Sequence, residues 1–221
     1  MKKNILYFFL LLAGLLLGVA SCSEQSDDFN KYADWKSRNA LYFQNVADTA
    51  RTEIAKAKAL YGEQWQEHCE WRMFRSLSQD PDMEGTVTDS VLVKVLQQGS
   101  GKGCPMWTDT VRVHYRGLLM PTRDIVNGKD TVIQDVFEST FTPPLDLKTA
   151  FPVLSSVSSL IDGFSTSLQY MHCGDYWRIY IPQNLGYGSN AKTSIPAYST
   201  LIFDLYLVDY FVPGEEIPDW N

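Results

Sequence analysis

The segment that decides the fold runs Val111-Arg112-Val113-His114-Tyr115-Arg116-Gly117-Leu118-Leu119. Apolar and polar side chains alternate along its first half, and a period of two is typical of a β-strand with one face on a hydrophobic core. The same alternation occurs from Val91 to Val95, from Trp177 to Ile181 and from Leu201 to Leu207. These segments predict a sheet of several antiparallel strands.

Two helical patterns accompany the strands. Leu160, Phe164, Leu168 and Met171 follow spacings of four, four and three, which fit a short amphipathic helix. Upstream, the composition from Asn30 to about Leu77 favours helix, and we expect Gly62 to divide it. Its predicted apolar stripe contains Trp35, Tyr42, Val46, Ala50, Ile54, Ala57, Tyr61 and Trp65. The fold class is therefore α+β, an antiparallel half-barrel sheet wrapped on a short helix and preceded by a helical N-terminal segment.

Turn-forming residues from Gln79 to Gly85 separate the helical pattern from the strands. We predict a signal peptide at 1–21, a tether and helical segment at 22–85, a globular domain at 86–213 and a C-terminal tail at 214–221. The helical stripe can pack on the globular domain or on a second chain, so a homodimer through these helices is one expectation. Within the globular domain, Asn127-Gly128 predicts a β-hairpin turn.

The N-terminus has the features of an export signal. Lys2 and Lys3 precede an apolar run that ends in Val19-Ala20-Ser21-Cys22. This ending resembles a bacterial lipobox, and the resemblance implies cleavage before Cys22 and acylation of that cysteine. An ordinary signal peptide and an uncleaved anchor remain alternatives. The predicted location is the cell envelope of a Gram-negative bacterium, with a lipid as the only membrane attachment.

Net charge limits the possible binding partners, and the cysteine count limits the possible disulfides. Without Lys2 and Lys3 the formal net charge falls from −7 to −9, which makes nucleic acid an unsuitable partner. Cys69, Cys104 and Cys173 remain once Cys22 is set aside. An odd number allows at most one intrachain bridge, and the sequence does not choose the pair.

Five segments in order are similar to the FKBP-type peptidyl-prolyl isomerases. These segments are Val111–Leu119, Phe137-Glu138-Ser139-Thr140, Leu160-Ile161-Asp162-Gly163-Phe164, Ile181-Pro182-Gln183-Asn184-Leu185-Gly186-Tyr187-Gly188, and Ile195-Pro196 followed by Leu201–Leu207. The resemblance covers roughly 90–212. It implies that the globular domain at 86–213 is an FKBP-like isomerase domain.

The resemblance also implies a set of site residues. The catalytic group would comprise Tyr115, Phe137, Glu138, Ile161, Phe164, Tyr187 and Phe203. Substrate would also contact Leu145, Leu160 and Ile195. In this assignment the Ile161 N–H and the Tyr187 hydroxyl bind substrate carbonyls, and Phe164 lies under the proline ring.

Four positions depart from the family's pattern. Glu138 replaces the usual aspartate, Phe164 a frequent tryptophan, Leu145 a wall aromatic, and Ala197 the second proline of an I-P-P motif. These departures lead us to expect weak activity.

The expected activity is isomerisation of X-Pro bonds in unfolded or partly folded envelope proteins. No covalent bond has to break, so an apolar pocket suffices, and no metal or organic cofactor is implied. Two other readings from different classes are a non-catalytic binding module or holdase and a purely structural lipoprotein.

Overall fold

The long N-terminal helix is the first element of the computed structural model, which describes residues 30–220. Helix α1 spans Trp35–Tyr61 and ends at Gly62, whose N–H bonds to the Lys58 carbonyl. A 3-10 segment, Gly62–His68, follows. From Lys31 onward the described chain forms one compact unit. The predicted signal peptide and Cys22 lie outside the described residues.

The rest of the unit is a sheet with one short helix. The strands are β1 Trp71–Arg75, β2 Ser90–Gln97, β3 Thr110–Leu118, β4 Thr122–Val126, β5 Lys129–Ile133, β6 Val136–Ser139, β7 Val153–Ser156, β8 Tyr176–Ile181 and β9 Leu201–Phe211. Helix α2 spans Asp162–Leu168. Short 3-10 turns occupy Val87–Asp89, Val157–Ser159 and Gln183–Leu185. This mixture confirms the predicted α+β class.

The main sheet is antiparallel throughout and has the order β1-β2-β8-β9-β3-β6. Strand β7 pairs with the first half of β3, from Thr110 to Val113, and β6 pairs with its second half, from Arg116 to Leu118. Strand β3 therefore changes partners midway along its length. The cleft between those partners is where the candidate site lies.

The two faces of the sheet pack against different elements. On the inner face, Phe164 and Leu168 of α2 join Val93, Ile179 and Leu205 in one hydrophobic cluster. Such burial contributes about 1.5–3 kcal/mol for each large apolar side chain. Helix α2 lies close to β8, because a Cβ on Gly163 would come within 2.4 Å of Ile181.

On the outer face, α1 covers the sheet. Phe43 and Ala47 pack against Leu92, Tyr180 and Ile202 in a second cluster. The helix therefore packs within its own chain, one of the two arrangements that the sequence left open. Its buried stripe is Trp35, Asn39, Phe43, Ala47, Ala50 and Ala57, so the predicted stripe was displaced by one position over part of the helix.

The C-terminal residues cover another part of the outer face. The Arg112 guanidinium donates to the Pro218 carbonyl and lies 5.6 Å from the centre of the Trp220 ring. The Trp220 and His114 rings meet edge to face at 6.1 Å. His114 is fully buried, and neither ring nitrogen has a hydrogen-bond partner among residues 30–220.

Two local predictions have different outcomes. The hairpin at Asn127-Gly128 is confirmed, since both residues have positive φ between β4 and β5, as a two-residue turn requires. The helical prediction through Leu77 was wrong at Trp71–Arg75, which form β1 in register with Ser90–Lys94. Pairing with β2 overrides local helix propensity there, and it extends the sheet upstream of the predicted boundary.

Candidate active site

An open cavity of about 200 Å³ lies on the inner face, between β3, β6, β9 and the start of α2. We call its lining side chains the aromatic cup. They are Val113, Tyr115, Phe137, Glu138, Ser155, Ser159, Leu160, Ile161, Phe164, Tyr187 and Phe203. Each wall comes from a different part of the chain, so the cup exists only in the folded protein.

Phe203 is the centre of the ring packing. Its ring meets Phe164 at 5.0 Å, Phe137 at 5.4 Å and Tyr115 at 6.0 Å between centroids. All three contacts are edge to face, the arrangement that aromatic quadrupoles favour. Phe203 and Phe164 are only 5% and 4% exposed, whereas Tyr115 and Phe137 are half-buried. The first two rings therefore form the floor, and the others border the opening.

Gly117 allows the Phe137 ring to lie against β3. A Cβ at this position would be 2.3 Å from one Phe137 ring carbon and 2.4 Å from another, closer than any real contact. The residue pairs with Glu138 across β6 and with Phe203 across β9. A missing side chain in the strand therefore makes room for one wall of the cup.

Polar groups border the apolar surface at two places. The Ile161 N–H has no hydrogen-bond partner among the described residues, while the Ile161 carbonyl accepts from Phe164 and Ser165 at the start of α2. The Tyr187 hydroxyl likewise has no hydrogen bond within residues 30–220. An unpaired donor beside a cavity can bind a carbonyl oxygen that enters it.

Glu138 affects both phenols electrostatically. Burial, and then the interaction with the nearby Glu138 carboxylate, raise the pKa of Tyr115 above its ordinary value. Burial, and then the nearby Glu138 charge, raise the pKa of Tyr187. Because a phenol ordinarily titrates near pH 10, both hydroxyls stay protonated at neutral pH. Both hydroxyls can therefore donate a hydrogen bond.

The structure brings together eight of the ten side chains that the sequence assigned to the site. Leu145 and Ile195 do not line the cavity. Leu145 is half-buried in the segment between β6 and β7, and Ile195 is 7% exposed within the inner-face core. Neither residue is therefore part of the cup as the structure shows it.

Sequence reasoning missed three lining residues, Val113, Ser155 and Ser159. Val113 could have been found, because it precedes Tyr115 by two positions and so points to the same face of β3. Ser155 and Ser159 lie in a serine-rich stretch whose pattern does not distinguish lining from solvent-exposed positions.

Three other kinds of feature are absent from residues 30–220, namely a metal-ligand cluster, a disulfide and a membrane-spanning helix. Between residues 30 and 220 there is no group of three or more His, Cys, Asp and Glu side chains placed to hold a metal ion. Cys69, Cys104 and Cys173 are unpaired. No helix in this part of the chain is long and apolar enough to cross a bilayer.

The sequence that forms the cup matches a known protein family. The family model described as FKBP-type peptidyl-prolyl cis-trans isomerase matches residues 101–208, which contain all five motif segments. Residues 101–208 belong to this family. The matched FKBP-type region carries every residue of the aromatic cup.

Two relatives from the curated proteins are also similar in sequence. The chain is 35% identical over 117 residues to the FKBP-type 22 kDa peptidyl-prolyl cis-trans isomerase of Escherichia coli, covering 52% of this chain and 48% of that protein. It is 30% identical over 138 residues to the peptidyl-prolyl cis-trans isomerase Mip of Coxiella burnetii, covering 62% and 52%. The chain thus spans about half the length of the curated relatives it matches.

A solved structure is also similar. The crystal structure of FkpA from Escherichia coli has a TM-score of 0.43 and 23% sequence identity, covering 92% of this chain and 81% of that one. The family assignment rests on the sequence match of residues 101–208.

Proposed function

We propose that this protein is a peptidyl-prolyl cis-trans isomerase and that the aromatic cup is its active site. The observation that carries the proposal is an open cavity of about 200 Å³ whose floor is made of rings and whose edge holds unpaired donors. A packed core would have filled this space with its own side chains. The cup instead leaves room for a proline ring.

Such a cup can accelerate rotation about an X-Pro bond without bond cleavage. Amide resonance holds the bond planar behind a barrier of about 18–20 kcal/mol. Water stabilises the planar form by bonding to its polar carbonyl, whereas the twisted transition state is less polar. A site lined by Phe164 and Phe203 excludes that water and so favours the twisted form over the planar one.

The donors hold the peptide while the bond turns. In this proposal the Ile161 N–H and the protonated Tyr187 hydroxyl donate to substrate carbonyls on either side of the rotating bond. The Glu138 carboxylate lies near Tyr115 and helps to keep its hydroxyl protonated. Positioning of this kind restricts the substrate to conformations close to the transition state.

A proline-limited refolding assay tests the proposal. Phe137→Ala should abolish most of the acceleration, and Tyr187→Phe should reduce kcat/KM about two- to tenfold, the value of one hydrogen bond. Matched controls are Phe151→Ala, at a residue that is 77% exposed outside the cup, and Tyr206→Phe on the outer face. Both controls should keep the wild-type rate.

Two outcomes would reject catalysis. One is a wild-type chain that fails to accelerate refolding. The other is equal activity in the cup variants and their controls. Binding of an X-Pro peptide without acceleration would instead favour a binding module or holdase.

We further propose that the protein is an envelope lipoprotein, anchored through Cys22, with unfolded envelope proteins as clients. The lipobox-like sequence supports this proposal, as does the name of a similar Legionella longbeachae protein, outer membrane protein MIP. Cys22→Ser should abolish incorporation of a labelled fatty acid and move the protein to the soluble fraction. Continued labelling of that variant would reject Cys22 as the acylated residue.

A homodimer through the N-terminal helix is proposed as well. Leu41 and Leu60 of α1 are 62% and 66% exposed, so apolar side chains remain on the helix after it has packed on the sheet. Size-exclusion chromatography with light scattering should give a dimer for the wild type and a monomer for Leu41→Glu with Leu60→Glu. A monomeric wild type would reject the proposal.

A further inference from the structure

Helix α1 is hydrogen-bonded to the loop that leads into β9. The Trp35 indole N–H donates to the Ser199 hydroxyl at 2.9 Å, and that hydroxyl donates to the Pro196 carbonyl at 2.6 Å. Trp35 is 7% exposed and Ser199 is 4% exposed. The first turn of the helix thus fixes a loop that is distant in sequence.

Asn39 makes a second connection one turn later. Its side-chain carbonyl accepts from the Thr200 N–H at 2.7 Å, and the Thr200 hydroxyl donates to the Asn39 backbone carbonyl at 3.2 Å. The amide NH2 of Asn39 donates to the Trp35 carbonyl at 2.8 Å. Asn39 is only 1% exposed, and a buried amide is tolerated when its partners satisfy it in this way. We call Trp35, Asn39, Ser199 and Thr200 the helix clamp.

The clamped loop is joined in turn to the cup. The Tyr198 N–H donates to the Gly188 carbonyl at 2.7 Å, next to Tyr187. Thr200 precedes β9, and Phe203, the centre of the ring packing, follows three residues later. The loop therefore contacts or continues into two members of the cup.

Tyr198 has a backbone conformation that needs support. Its φ is 63°, in the left-handed region that non-glycine residues adopt at a cost of about 1–3 kcal/mol. The Lys36 ammonium of α1 lies 4.3 Å from the centre of its ring. Helix α1 therefore contacts the strained Tyr198 as well as the clamp residues Ser199 and Thr200.

We propose that Trp35 and Asn39 are positioning residues for the isomerase site, acting through the loop 195–200 on Tyr187 and Phe203. The inference rests on the proposed isomerase function. It assigns part of the site's geometry to a helix outside the matched family region of 101–208. Neither residue touches the cavity, so both act through other residues.

The test compares three variants of the full-length chain. Trp35→Phe removes the indole N–H, and Asn39→Ala removes the side-chain bond to the Thr200 N–H. Ala47→Gly is the control, because Ala47 is fully buried in the same helix but packs on the outer face of the sheet. The substitution to glycine lowers stability by a comparable amount without touching the clamp.

We expect kcat/KM for an X-Pro peptide to fall about fivefold or more in both clamp variants, mainly through KM, as one hydrogen bond is lost. Hydrogen exchange at the Tyr198 and Thr200 amides should accelerate in those variants. Ala47→Gly should keep both the wild-type kcat/KM and the wild-type exchange, although urea unfolds it earlier.

Two results would overturn the inference. One is wild-type kcat/KM in the clamp variants despite faster exchange at Thr200. The other is an equal loss of activity in Ala47→Gly, which would indicate a general effect of stability. A wild-type chain without activity would reject the isomerase proposal. The affinity for the X-Pro peptide would then be compared among the same variants. Unchanged affinity in the clamp variants would reject the positioning role of Trp35 and Asn39.

Discussion

The inner and outer faces of the sheet are built from alternate residues of the same strands, yet only the inner face holds the aromatic cup. On β3, His114 is fully buried on the outer face while its neighbour Tyr115 borders the cup. On β9, Ile202 packs with α1 while Phe203 forms the centre of the rings. Both faces bury apolar side chains, although the outer face also holds the ion pair between Arg178 and Asp204. They differ in the elements that cover them.

This difference indicates that the covering elements, together with the strand residues, determine where a site can form. The long helix α1 and the C-terminal residues around Trp220 seal the outer face. Helix α2 has only seven residues and leaves a cavity beside it. A short cover over a wide sheet therefore creates the space that a substrate needs.

Among variants of the two faces, Phe203→Ala is expected to have the largest effect on stability and activity. Loss of a buried aromatic should lower the free energy of unfolding by about 3–5 kcal/mol. Activity should fall further than the folded fraction does, because the ring also forms the floor of the cup. Urea titration combined with kcat/KM per folded molecule measures both effects. Full activity in the folded fraction would place the site elsewhere.

Gly117→Ala should disturb the inner face without removing any ring. The new methyl would clash with Phe137, and overpacking of this kind costs about 1–3 kcal/mol. We expect lower stability and lower kcat/KM. In the double variant with Phe137→Leu, which lacks the clashing ring atoms, the stability cost should be smaller than the sum of the single costs. Additive costs would show that the ring is not the obstacle.

The outer face should show its own pH dependence through His114. Burial lowers the pKa of this imidazole below its ordinary value, so the unfolded chain binds the proton more readily. The free energy of unfolding is therefore not lowered by His114 above pH ~6.5. Below that pH it falls by at most about 1.4 kcal/mol per pH unit for one proton. The rings of Tyr206 and Trp220 lie against His114, Arg112 lies against Trp220, and none of these three is an anion that would offset the effect.

His114→Phe tests that prediction by removing the titrating group. Free energies of unfolding between pH 5 and 8 should vary less in the variant than in the wild type. An unchanged pH dependence would mean that other groups cause it.

The smallest effect is expected from Ile202→Val. Removing one buried methylene beneath α1 should cost about 0.5–1.5 kcal/mol and leave kcat/KM unchanged. Differential scanning calorimetry and the peptide assay give the two values. A loss of activity here would show that the two faces are not independent.

The strands of the sheet and most of the cup could be predicted because their signals are local. Apolar residues alternate with polar ones along Val111–Tyr115 and Leu201–Leu207. This pattern indicates one buried face, whichever strand pairs with the segment. The five motif segments carried the aromatic residues of the cup in the family's order.

The missed features depend on partners that are distant in the chain. Trp71–Arg75 forms a strand only because β2 pairs with it. Asn39 reads as a solvent-facing polar residue, yet it is buried against Thr200, 161 positions away. Leu145 was assigned by its place in the family's pattern, and a half-buried position between β6 and β7 does not follow from that place.

The central place of β9 limits how this protein can change over evolutionary time. This strand lies between β8 and β3, and each of its residues is committed to one side. Deleting a single residue ahead of Phe203 would turn that ring toward α1 and bring a neighbour such as the carboxylate of Asp204 into the cup. Descendants of this sequence should therefore diverge in β9 by replacing side chains, while gains and losses of residues accumulate in the surrounding loops.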